Sequence, residues 1–74
     1  MFTEKIYVRL MNEGTFVIRP TRGRRVSEDT FEILIASDYD PDDELWEFLP
    51  GTIVRCRRQE RNGEEVLVAY AAAS

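Results

Sequence analysis

Apolar and polar residues alternate with a period of two over much of this chain, and that period predicts strands. In the first segment Ile6, Val8 and Leu10 share one face while Tyr7 and Arg9 take the other. Phe31, Ile33 and Ile35 alternate with Glu32 and Leu34 in the same way. Thr15–Pro20, Thr52–Gln59 and Glu65–Ala71 are rich in β-branched or aromatic residues and complete a set of five. Turn residues separate these runs, so the pattern predicts a small antiparallel barrel or sandwich. Pro20 has no ladder donor, so the second strand should bend or run at an edge there. Thr21–Asp29, polar and with Gly23 inside it, reads as a wide loop. No repeat or linker divides the chain, so residues 1–74 are expected to form one domain.

Turn chemistry decides which face each side chain takes. Arg61-Asn62-Gly63 admits a two-residue Asn-Gly hairpin or a three-residue loop ending in a left-handed glycine. The two-residue loop pairs Cys56 with Ala69 and leaves Val66, Val68 and Tyr70 on the face of Arg55 and Arg57. The three-residue loop pairs Cys56 with Val68 and gathers Val54, Cys56, Val66, Val68 and Tyr70 on one side. Burial favours the second. A matching loop of Asn12-Glu13-Gly14 pairs Leu10 with Phe16, Val8 with Ile18 and Tyr7 with Arg19. The expected core is then Ile6, Val8, Leu10, Phe16, Ile18, Phe31, Ile33, Ile35, Val54, Cys56, Val66, Val68 and Tyr70.

Asp38–Phe48 breaks the alternation. Asp40 suits a helix N-cap and Pro41 the first helical position, with Asp42, Asp43 and Glu44 at the positive end of the dipole. One or two helical turns are expected before Pro50-Gly51, with Trp46 and Phe48 capping an open end of the barrel. The acidic run is no EF-hand loop. Its sixth position is Asp43 where glycine is needed, and its twelfth is Leu49 where glutamate is needed.

Composition narrows the chemistry. Histidine is absent and Cys56 stands alone, which removes the commonest metal ligand and proton shuttle and excludes an intramolecular disulfide. Cys56 is expected to be a buried, reduced small hydrophobe. No glycine-rich phosphate loop, nucleophile elbow or facing carboxylate pair is present, so no enzyme, cofactor or metal is expected. No apolar run approaches the ~20 residues of a membrane span, and MFTEKIYVRL lacks a signal-peptide core, so a cytoplasmic protein is expected.

The charge distribution supplies the candidate site. Ten basic residues against fourteen acidic ones give a net charge of −4, yet nine of the ten cations are arginine. In the register favoured by burial, Tyr7, Arg9, Arg19, Arg55 and Arg57 all point outward on one side. Arginine suits fixed bidentate or stacked contacts. This face is therefore the expected seat of a protein partner. Single-stranded nucleic acid is the alternative, because small barrels combine phosphate contacts with base stacking on such faces. Homodimerisation through Val17, Leu34 and Leu67, or through an unpaired edge, is a third expectation.

The stretches YVRLMNEGTFVIRP and YDPDDELWEFLPGTIVRC, with the closing hairpin NGEEVLVA, resemble a set of short uncharacterised bacterial proteins. Those share V-R-L-x-x-E-G-T, then R-P, then W-E-F-x-P-G-x-x-V-R-C, and the likeness covers about 50 residues. Ile18 stands where such sequences often carry tryptophan before R-P. The resemblance implies a small SH3-like β-barrel and no assigned activity. With the residue-level reading it gives one expectation: an all-β SH3-like antiparallel barrel with one short helical turn, acting as a non-catalytic protein-interaction module.

Overall fold

A computed structural model describes residues 3–11, 17–35 and 44–73. Five strands form in chain order: β1 (Thr3–Arg9), β2 (Ile18–Arg25), β3 (Thr30–Ile33), β4 (Ile53–Arg61) and β5 (Glu64–Ala72). Each pairs antiparallel with the next, and β5 meets β1 in parallel at Tyr7 and Val68, closing a barrel in the order β1-β2-β3-β4-β5. The chain is all-β and consistent with a small SH3-like barrel, with no helix among the described residues. None of them forms a helix long and apolar enough to cross a membrane.

The alternating residues of the sequence fill the barrel. Ile6, Val8, Leu10, Phe31, Ile33, Val54, Cys56, Trp46 and Ala69 make one buried cluster. Removing this apolar surface from water drives the fold, at about 25 cal/mol per Å². Trp46 enters from the segment between β3 and β4 and pairs with Leu10 in an isolated bridge. That pairing holds Glu44–Phe48 out of helical geometry, whereas helical turns were expected up to Phe48. The N-cap half of that expectation, Asp38–Asp43, lies outside the described residues. Trp46 does take the capping place expected of it and is fully enclosed.

Both hairpin registers differ by one residue from expectation. In the β4–β5 hairpin Asn62 (φ 53°) and Gly63 (φ 82°) form a two-residue loop, and Arg61 pairs with Glu64. Positive φ at both positions matches the primed turn whose twist suits flanking strands. Cys56 consequently pairs with Ala69, and a bulge follows, so that Arg55 pairs with Ala71 and Tyr70 is the extra residue. The longer loop looked better buried only while Ala69 was left out of the core. At the first hairpin Val8 pairs with Arg19 and Tyr7 with Pro20, and the Leu10 N–H donates to the Val17 carbonyl at 2.9 Å. The loop Asn12–Gly14 and Phe16 lie outside the described residues.

These shifts correct the expected core. Tyr70 and Ile35 are exposed and Val66 is half-buried, while Ile18 and Val68 are buried outside the main cluster. The region taken for a wide loop is largely strand, since β2 runs on to Arg25. Gly23 makes that extension feasible: a Cβ there would lie 2.8 Å from Ile6 Cδ1, so only glycine fits without displacement. Pro20 sits where β2 has no β3 partner, because their pairing covers Gly23–Arg25. The Arg22 carbonyl accepts from the Leu34 N–H, so even-numbered β2 residues turn their polar groups to that side. The N–H missing at Pro20 therefore leaves the β1–β2 ladder intact, and the expectation of an edge there holds.

Candidate binding face

Registers place the outward side chains of β4, β5, β1 and β2 in rows around the barrel. Arg57 pairs with Val68, Val68 with Tyr7, and Tyr7 with Pro20. One row over, Gln59 pairs with Val66 and Lys5 with Arg22. On the other side lie Arg55, Tyr70 and Arg9. Neighbouring strands are about 4.8 Å apart and alternate residues about 6.7 Å, so the surface is a small lattice of cations around two aromatic rings.

Four of the five site residues expected from sequence, Tyr7, Arg9, Arg55 and Arg57, come together here. Arg19 does not. The one-residue register shift turns it toward the Val8 side, where its Nε lies 3.0 Å from Glu44 Oε2. Glu44 also accepts from Trp46 Nε1 at 3.3 Å. Arg19 thus belongs to the linkage that anchors the incoming Trp46 segment.

Tyr70 is the residue that sequence reasoning missed. The register of the two-residue loop sets it outward, 42% exposed, with the Arg57 guanidinium 5.1 Å above its ring centroid. Tyr7, half-buried, carries Lys5 Nζ at 5.8 Å in the same manner. Cation–π contacts of this kind hold flexible side chains in place for about 0.5–1 kcal/mol at exposed sites. The Asn62-Gly63 pair was the available signal, being the strongest short-range mark of a two-residue hairpin. Arg9, Glu47, Arg57, Gln59 and Tyr70 rim a hollow of about 140 Å³ floored by Val68 and Ala69. The Glu47 N–H donates to the Arg9 carbonyl at 2.8 Å, which keeps one acid at its edge.

Other cations are engaged elsewhere. Arg24 bonds Glu32, its cross-strand partner, at 2.9 Å. Arg25 grips Glu4 through two hydrogen bonds of 2.6 and 2.9 Å, donates to the Glu28 carbonyl, and lies 4.6 Å over Phe31. That hydrogen-bonded guanidinium holds the Glu4 carboxyl below its usual value and raises Arg25 in return. The Arg25–Glu4 pair rims a cleft of about 460 Å³ at one mouth of the barrel, with Phe31, Cys56 and Leu67 in its wall.

Burial, with a smaller push from Asp29, drives the Cys56 thiol up to about 11, the reverse of what a nucleophile needs. Among the described residues no group of three or more Cys, Asp or Glu side chains is placed to hold a metal ion. Val17 and Leu67, expected as exposed dimer contacts, pack half-buried against the core, and Leu34 is also half-buried. Comparison of the chain with protein-family models, curated proteins and solved structures finds no match.

Proposed function

We propose that this chain is a non-catalytic interaction module that captures an anionic partner on the face formed by Tyr7, Arg9, Arg55, Arg57 and Tyr70. One observation carries the reading. A chain with net charge −4 gathers cations and both described tyrosines on one outward surface. A protein is the partner expected from sequence, and arginine and tyrosine are among the residues that most often dominate protein interfaces. A cytoplasmic setting accords with a lone, buried thiol. Charge reversal at Arg55→Glu with Arg57→Glu tests the proposal. Both side chains are exposed, so the dispersed NMR spectrum should persist while partner capture from a lysate is lost. Undiminished capture refutes it.

A further inference from the structure

Resting on that reading, we infer that the anionic partner is single-stranded nucleic acid, its bases stacked on Tyr70 and Tyr7 and its phosphates met by the surrounding cations. The centre of the face decides between this and a protein. Protein interfaces are enriched in arginine and aromatic residues, but they also seat exposed apolar anchors at their centre. Here the centre is charged, and the apolar floor offers little: Val68 is only 5% exposed and Val66 is half-buried. Two aromatic rings and the cations Lys5, Arg9, Arg22, Arg55 and Arg57 reach solvent there, beside Pro20, Glu47 and Gln59. Stacking platforms combined with a positively charged track are how single strands are held without sequence readout.

Geometry suits short spans of unpaired bases. Extending the Tyr7↔Val68 register by two residues sets Tyr70 beside Arg9, one row from Tyr7 on the adjacent strand. Their Cα atoms are then about 8 Å apart on ordinary strand spacings. Successive bases can reach both rings only when unstacked from each other, which a duplex forbids. Beside Tyr70, the hollow of about 140 Å³ has room for one planar ring between Arg9 and Arg57.

Net negative charge does not exclude the interaction. The molecule extends 31 × 28 × 23 Å, whereas charges are screened beyond about 8 Å at physiological ionic strength. The local cations therefore set the field at the face. Among the described residues, Glu47 lies at the hollow's rim and Glu64 pairs opposite Arg61.

Fluorescence anisotropy of a fluorescein-labelled oligothymidylate at low salt tests the inference. About three phosphate contacts should give a slope near −2 for log K against log salt. Tyr70→Ala should weaken binding about tenfold, in the range for loss of one stacked base, while Tyr70→Phe retains it. A duplex of equal length should bind more weakly. No binding, insensitivity to Tyr70→Ala, or equal affinity for duplex each overturns the inference. If the oligonucleotide fails while Arg55→Glu with Arg57→Glu still abolishes capture of a protein, the inference falls and the interaction module stands. If neither responds, both fall.

Discussion

Gly23→Ala is the sharpest probe of the barrel's packing. The new Cβ would meet Ile6 Cδ1 at 2.8 Å and Ile6 Cγ1 and Cγ2 at 3.2 Å. Ile6 is fully buried and enclosed by the apolar cluster around it. Overpacking of this kind costs about 1–3 kcal/mol. Against it, replacing glycine inside a strand recovers about 0.5–1 kcal/mol of backbone entropy, since Gly23 has no positive φ to protect. The net loss is therefore about 1 kcal/mol, or roughly 4–8 °C in Tm for a domain of this size. Ile6→Val alone should cost about 0.5–1.5 kcal/mol. It also deletes Cδ1, the atom in closest conflict. Combined with Ile6→Val, the Gly23→Ala change should be neutral or slightly stabilising, giving a favourable coupling of about 1 kcal/mol. Urea denaturation of the wild type, both single variants and the double variant measures that coupling. Additivity within about 0.3 kcal/mol, or stabilisation by Gly23→Ala alone, would refute the close-packed β1–β2 contact.

Two further predictions concern ionisation. Because Arg25 lowers the folded pKa of Glu4 beneath the unfolded value of 4.5, its contribution to stability is fully present above that value and lost as pH falls through the folded one. The stability gap between wild type and Glu4→Gln should shrink toward zero on acidification and also narrow in molar salt. A gap constant with pH contradicts the pairing. Cys56, raised from 9.0 to about 11 mainly by burial, should resist iodoacetamide at pH 8, its thiolate population being roughly a hundredfold below that of an ordinary cysteine. Mass-spectrometric labelling should accelerate sharply in unfolding concentrations of urea. Equal rates in folded and unfolded protein would place the thiol at the surface.

The first strand and the central pair of β-branched runs were legible because their alternation has only one physical solution: Ile6, Val8, Phe31, Ile33, Val54 and Cys56 all share the interior. The all-β class followed from that pattern together with the turn residues, which left barrel and sandwich both open. Register was not legible in the same way. A single-residue slip exchanges the two faces of a strand, and local composition favoured, at both hairpins, the slip that buries more obvious apolar side chains. Small Ala69 and the glycine at position 23 proved to be interior positions. Neither advertises itself by hydrophobicity, since each is chosen for the space its neighbours leave.

The candidate face shows the same division. Tyr7, Arg9, Arg55 and Arg57 could be named from strand parity alone, whereas Arg19 and Tyr70 exchanged roles once the partners across each hairpin were known. Trp46 illustrates the remaining part. Local signals at Asp40-Pro41 favoured a helix through it, but it is bridged to Leu10, far away in sequence, and buried in the core cluster. Sequence by itself determined the strands, the interior they share and the surplus of arginine. The tertiary structure decided register, and with it the side that Tyr70 takes, and the place of Trp46, because each depends on packing between segments that no local pattern contains.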